Sequence, residues 1–265
     1  MTSTFTPLHR GGSGEPLVCL HGFTDTWRTW ELILPKLEEH HDVLAPTLLG
    51  HAGGSPLPAA VSDEAIIDGI EQAMDEAGFE TAHVVGNSLG GYAAMKLASR
   101  GRARSVVALA PAGGWPRGDA TATDTLEFFR SVQQQLTAAL PHVDAMLSTA
   151  EGRRLATAYV VENFDHIPVE LLKHQVEGIV GCDAAPLIEF AERQGFEIDA
   201  EKVECPIRVI WGTADKILAW PLTGTRYLEE WAVNADWVVI PDIGHMPQLD
   251  APTETAQLIL DFTSR

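Results

Sequence analysis

Short apolar runs alternate along this chain with segments of helical period. Pro16-Leu17-Val18-Cys19-Leu20, Asp42–Ala45, Thr81-Ala82-His83-Val84-Val85 and Ser105-Val106-Val107-Ala108-Leu109 are each only a few residues long. Runs of that length, nearly continuous in apolar and β-branched side chains, read as strands buried on both faces. Between the first two, Trp27, Trp30, Ile33, Leu34 and Leu37 recur at helical spacing and predict one helix over 27–37. Before the third, Ile66, Ile67, Ile70, Met74 and Ala77 repeat at three and four. Ser62 caps that helix, Asp63 and Glu64 place negative charge in its first turn, and Gly78 ends it. The stretch Gly91–Ala98 reads as a further helix.

The alternation then breaks. From about Trp115 to Ala185 no strand-like run occurs. Leu126–Leu140, Val143–Leu147, Arg153–Asn163 and Val169–Val180 read as helices, punctuated by Pro141, Gly152 and Pro168. Pro186–Arg193 returns to the core as a helix. Two more strand-like runs follow, Ile207–Trp211 and Trp237–Ile240, with helices around Leu222–Ala232 and over Thr253–Phe262. A βα series implies a mainly parallel central sheet with helices on both faces. The expected architecture is therefore α/β, with a core of residues 1–114 and 186–265 and an inserted all-helical cap of residues 115–185 over one sheet edge.

Chemistry enters at Gly86-Asn87-Ser88-Leu89-Gly90. The strand before it and the helix after it give the context in which Gly-x-Ser-x-Gly becomes a nucleophile elbow. A hydroxyl exposed at a strained turn needs small neighbours, and the helix N-terminus brings free backbone N–H groups beside it. Five such residues alone also fit a glycine-rich turn with an idle serine. Serine is a poor nucleophile near neutral pH and needs a base with a group to orient it. Asp215, in the loop after Ile207–Trp211, and His245, in the loop after Trp237–Ile240, follow Ser88 in the order Ser…Asp…His. Both loops open on the carboxyl edge of a parallel sheet, where ligands collect. Asp242 is the rival acid, but it lies too close to His245 along the backbone to face it. The turn His21-Gly22-Phe23-Thr24-Asp25 follows the first of the runs. The backbone N–H groups of Phe23 and Leu89 are expected to form an oxyanion hole. His21 reads as a packed histidine that holds this turn, and Asn87 as a polar residue satisfying local backbone.

The segments His21-Gly22-Phe23, Gly86-Asn87-Ser88-Leu89-Gly90-Gly91, Gly212-Thr213-Ala214-Asp215 and Gly244-His245-Met246-Pro247 resemble the α/β-hydrolase superfamily, in particular its small members with a helical cap. The resemblance spans nearly the whole chain. It implies the fold and the triad Ser88, Asp215 and His245, and it leaves the substrate open because many chemistries share this scaffold. Serine at the elbow sets the chain apart from the superfamily's haloalkane dehalogenases and epoxide hydrolases, which use aspartate there. Two departures stand out. Thr47 occupies the place of the acid in the Asp-x-x-Gly-x-Gly run that often follows the third core strand. The usual antiparallel opening of the sheet is shortened, because only Thr4–Leu8 precede the glycine-rich turn 11–14.

The expected activity is hydrolysis of a carboxylic ester or lactone through an acyl-enzyme. A carbon–carbon bond hydrolase of the ring-cleavage type, or a ligand receptor that reacts without turnover, are the alternatives; a cofactor-free haloperoxidase-like side activity also fits the triad. Trp115, Phe128, Tyr159 and Met246 are candidate pocket residues, and the apolar lining predicts a small to medium, mostly neutral, hydrophobic acyl or ester substrate. No cofactor and no metal are expected: the ten histidines are scattered without ligand spacing.

Composition narrows the partners. The net charge of −19 disfavours nucleic acid and anionic membrane surfaces. No apolar run reaches transmembrane length and no signal peptide is visible, so no membrane partner and a cytoplasmic location are expected. Three cysteines, Cys19, Cys182 and Cys205, show no metal-type spacing and read as thiols in a reducing compartment. The sequence carries no signal for oligomeric state.

Overall fold

A computed structural model describes residues 4–113, 115, 120–194, 198–222, 232 and 234–264. Strand β1 (Leu8–Gly12) runs antiparallel to β3 (His41–Pro46), with Leu8 opposite Pro46 and Gly12 opposite Asp42. The antiparallel opening is thus a single short strand, and it passes through Gly11 and Gly12, which the sequence reading placed in a turn. β2 (Glu15–Leu20), β4 (Ala82–Asn87), β5 (Ala103–Leu109), β6 (Ile207–Gly212) and β7 (Asp236–Ile240) complete a sheet of order β1-β3-β2-β4-β5-β6-β7. Every pairing after the first is parallel.

The sheet is buried on both faces, as the unbroken apolar runs require. On β2, Val18 and Leu20 join one apolar layer with Ile67, Ile70 and Met74, while Leu17 and Cys19 join the other with Trp30, Leu37 and Ile259. This is the period-2 alternation of a strand, here with hydrophobic partners on both sides.

The predicted helix over 27–37 is two pieces. A 3₁₀ turn covers Trp27–Trp30, and α1 covers Leu34–Glu38 with Pro35 in its first turn. Proline has no N–H and clashes with the preceding turn, so it begins a helix and cannot sit inside one. α2 (Asp63–Ala77) starts where Ser62 Oγ accepts the Ala65 N–H at 3.0 Å and ends at Gly78 with φ 81°. α3 (Leu89–Ser99) follows the elbow.

Between β5 and β6 the described chain is all helical: α4 (Ala120–Ala139), α5 (Val143–Leu147), α6 (Ala150–Thr157), α7 (Val169–Val180) and α8 (Ala184–Gln194). α6 stops at Thr157, short of the expected 163. The chain from 158 to 168 instead packs on the segment after β7, where the Met246 N–H donates to Val160 O at 3.0 Å. The insertion has its own apolar centre, in which Val143, Leu147, Val161 and Leu171 pack with Met246 and Leu249 of the core. α9 (Pro247–Asp250) and α10 (Pro252–Thr263) close the chain. The helix expected around Leu222–Ala232 falls mostly outside the described residues. All three cysteines are free thiols. No helix among the described residues is long and apolar enough to cross a membrane.

Candidate active site

Ser88 alone joins β4 to α3, with φ 52° and ψ −115°. A positive φ on a non-glycine residue costs on the order of 1–3 kcal/mol and persists only where its surroundings impose it. Here the Ser88 N–H donates to Leu109 O at 2.9 Å, and Ser88 O accepts from Tyr92 at 3.1 Å and Ala112 at 3.0 Å. The flanking glycines are obligatory. A Cβ at Gly86 would lie 2.1 Å from Gly90 O, and one at Gly90 would lie 2.1 Å from Leu20 O. Leu89 is the first residue of α3, so its N–H has no partner one turn earlier in the helix.

The turn after β2 lies against the elbow: a Cβ on Gly22 would stand 3.4 Å from Ser88 Cβ. His21 secures this turn. Its Nδ1–H donates to Gly22 O at 2.8 Å, and its Nε2 accepts the Leu48 N–H at 2.9 Å. Burial pushes the ring's pKa well below its ordinary value, so it stays neutral and keeps both bonds. Thr47, in the place of the expected acid, bridges the same region: its hydroxyl donates to Thr6 O at 3.3 Å and accepts the Trp27 N–H at 3.4 Å.

Asp215 and His245 meet at the ends of β6 and β7. His245 Nδ1 is 2.8 Å from Asp215 Oδ2, and both side chains are buried. The other carboxylate oxygen accepts the Ile217 and Leu218 N–H groups at 2.9 and 2.8 Å, which sets the plane of the carboxylate. With Nδ1–H given to Asp215, the lone pair of the imidazole is on Nε2. That atom is buried and makes no hydrogen bond to any described protein group. His245 and Ser88 line one cavity, but no hydrogen bond joins them here. Asp242 is exposed, and its N–H donates to Thr213 Oγ1 at 2.9 Å, away from the imidazole.

Two further residues, not singled out in the sequence as site residues, hold the His245 loop. Asn87 is not a local turn residue: its Nδ2 donates to Leu109 O at 3.1 Å and to His245 O at 2.9 Å. Its Oδ1 accepts from Gln248 Nε2 at 3.3 Å, and Gln248 also donates to Thr29 Oγ1 at 3.1 Å. Asp250 takes the N–H groups of Gly244, Glu162 and Asn163 at 2.6, 2.8 and 2.8 Å, and the Asn163 side-chain amide at 2.8 Å. It therefore ties the His245 loop to the helical insertion. The buried Asp in the sequence Pro-Gln-Leu-Asp carried no motif that would have revealed this.

The cavity at Ser88 has two arms. The first is bordered by Ile66, Leu89, Ala112, Trp115, Leu126 and Leu218. The second is bordered by Thr24, Asp25, Phe128, Tyr159, Gln175, His245 and Met246. Phe23, Ser88 and Phe129 border both. Of the proposed pocket residues, Trp115 thus lies in one arm, and Phe128, Tyr159 and Met246 in the other. Tyr159 is half exposed and stacks edge-on against Phe128 at 4.9 Å, at the rim. No Lys or Arg is among the described residues lining either arm. Among the described residues no group of three or more His, Cys, Asp or Glu side chains is arranged to hold a metal ion.

Residues 17–258 match the alpha/beta hydrolase family. The chain is 29 % identical over 204 residues to the epoxide hydrolase EphH of Mycobacterium tuberculosis, covering 76 % of this chain and 95 % of that protein. It is 29 % identical over 273 residues to the 2-hydroxymuconate semialdehyde hydrolase of Pseudomonas sp. strain CF600, covering 97 % and 89 %. The crystal structure of the enol-lactonase of Burkholderia xenovorans LB400 superposes with a TM-score of 0.74 at 19 % identity, over 97 % of this chain and 96 % of that one.

Proposed function

Because the chain belongs to the alpha/beta hydrolase family, we propose that it is a serine hydrolase that cleaves a carboxylic ester or lactone through an acyl-enzyme. Ser88 Oγ attacks the carbonyl carbon and its proton passes to His245 Nε2. The N–H groups of Phe23 and Leu89 take the oxyanion, and Asp215 holds the imidazole and stabilises the imidazolium. Collapse expels the alkoxide, which recovers the proton from Nε2. Water then repeats the sequence on the acyl-enzyme. The observation that carries this reading is the 2.8 Å bond between His245 Nδ1 and Asp215, with the opposite nitrogen left open in the cavity of a strained Ser88. The unbonded Nε2 and Ser88 are compatible with it, since catalytic hydrogen bonds often tighten only with substrate bound.

The relatives suggest two other reactions. The aspartate-type epoxide opening of the superfamily requires a carboxylate at the elbow, and position 88 is serine. Carbon–carbon cleavage is favoured by the likeness to the 2-hydroxymuconate semialdehyde hydrolase. A muconate-type substrate carries a carboxylate, and among the described residues the arms offer it no lysine or arginine and one buried acid, Asp25. Ester or lactone cleavage is therefore the preferred reading. The test is turnover of p-nitrophenyl esters, lactones and a vinylogous diketone acid by the wild type and by Ser88→Ala. Many turnovers of an ester or lactone, abolished in folded Ser88→Ala, are expected. A single stoichiometric reaction would identify a receptor, and turnover of the diketone acid alone would identify the carbon–carbon hydrolase.

A further inference from the structure

The two arms are unlike, and His245 borders only one of them. In the acyl transfer proposed above, on which this inference rests, the base returns its proton to the departing alkoxide. The alcohol half of the substrate must then lie on the His245 side, in the second arm. The acyl half occupies the first arm, whose walls are Ile66, Leu89, Trp115, Leu126 and Leu218.

Asp25 stands in that second arm and has no part in the acyl transfer. The residue is 7 % exposed, and its carboxylate accepts the Thr26 N–H at 2.8 Å. The side-chain amide of Gln175, on α7 of the insertion, reaches its other oxygen only at 3.5 Å, the long limit of a hydrogen bond. Burial pushes the carboxyl up to about 6, so above that pH it is chiefly ionised and only accepts hydrogen bonds. An ionised carboxylate has about four acceptor sites, and an alkyl group packed against it would leave part of that capacity dry. Gln175 adds an amide with both a donor and an acceptor. A hydroxyl, itself donor and acceptor, matches the pair. An ammonium offers nothing to the amide N–H, and a carboxylate would meet a like charge.

We infer that Asp25 and Gln175 form a hydroxyl-recognition subsite for the leaving alcohol, so that the preferred substrates are monoesters of diols or polyols with an apolar acyl chain. Asp25 is the specificity-determining residue, and Gln175 positions and shares the hydroxyl.

The experiment compares kcat/KM for propyl, 3-hydroxypropyl, 2,3-dihydroxypropyl and 3-(trimethylammonio)propyl butanoate, with p-nitrophenyl butanoate alongside. Wild type, Asp25→Asn and Gln175→Leu are each measured. The readout is the ratio between esters within one preparation, so a partly folded variant still reports. A hydroxyl bonded to a charged acceptor predicts a wild-type preference of about tenfold or more for the hydroxypropyl over the propyl ester. The ratio is expected to collapse toward unity in Asp25→Asn and to shrink in Gln175→Leu. Equal rates on propyl and hydroxypropyl esters, with p-nitrophenyl butanoate still cleaved, overturn the subsite and leave the hydrolase reading intact. So does a preference for the ammonium ester, which would mark a cation site. A preference unchanged in Asp25→Asn removes Asp25 from the role. Failure to turn over any ester overturns the subsite, and failure on esters and lactones alike removes the hydrolase reading with it.

Discussion

Asn87 Nδ2 donates to the main-chain carbonyl of His245 at 2.9 Å. The residue before the proposed nucleophile thereby holds the loop of the proposed base. The same NH₂ group reaches Leu109 O on the neighbouring strand. The elbow and the loop that carries His245 are thus tied to one strand through a single side chain.

Replacing Asn87 by Leu keeps the volume and leaves the carbonyl of His245 without this donor, while Leu109 O keeps the Ser88 N–H. Stability is expected to fall by about 1–3 kcal/mol, the cost of unsatisfied buried polar groups. In the protein that remains folded, kcat for p-nitrophenyl butanoate should fall more than KM rises, because the base is displaced and the pocket is not. Denaturant unfolding and steady-state kinetics check both. A stable variant of wild-type kcat would show that the contact is dispensable.

Asp215→Asn should keep the shape of the loop and lose the charge beside the imidazole, with kcat falling by orders of magnitude. Asp242→Asn, on an exposed turn, should be near wild type. The opposite pattern would name Asp242 as the acid.

Asp250 binds four N–H groups from two parts of the chain. Asp250→Ala leaves those donors without their partner and should cost about 2–4 kcal/mol of stability. Because Glu162 and Asn163 belong to the insertion, hydrogen exchange should rise first around 158–168. Uniform protection across that stretch in Asp250→Ala would argue against the tie.

Burial holds the pKa values of His51 and His174 down to about 4, against an ordinary 6.5. Below pH 6.5 the unfolded chain takes up protons that the folded chain refuses, so stability falls as the pH drops from 6.5 toward 4. Asp25, raised from 3.8 to about 6, acts in the opposite sense over much of that window. His21 and His41, also depressed by burial, join these two histidines, and together they outweigh the raised carboxyls Asp25 and Glu71. Tm is therefore expected to decline on acidification from pH 6.5, and His51→Gln should make the decline shallower. An unchanged slope in that variant would show that the ring titrates alike folded and unfolded.

Trp115 lines the arm assigned to the acyl chain. Trp115→Ala should lower kcat/KM for long acyl chains relative to short ones, by roughly 0.8 kcal/mol for each methylene that loses cover. A p-nitrophenyl series from acetate to octanoate measures this. An unchanged chain-length ratio would place the acyl chain elsewhere.

Local chemistry made much of this protein legible without coordinates. Gly86 and Gly90 are required by contacts of 2.1 Å to backbone oxygens, and so the elbow is written in neighbouring residues. Ser62 and Gly78 bound α2 by bonds to their own turns. Strand runs and helical periods report burial of one segment at a time, and for β2 and α2 that sufficed. The same reasoning joined Trp27 to Leu37 in one helix, because periodicity weighed more than the missing N–H of Pro35. What lay beyond reach were contacts between distant segments. Asn87 meets Gln248 across 161 positions, and Asp250 meets Glu162 across 88. A polar side chain has the same local pattern whether it bonds its own turn or a carbonyl from another strand. Closeness to His245 along the backbone set Asp242 aside in favour of Asp215, but only the packed sheet edge turned one carboxylate toward His245 and left the other exposed. The division of the cavity into an apolar arm and an arm holding Asp25 likewise arises where the insertion folds over the sheet, because its walls come from segments that meet only in the folded chain.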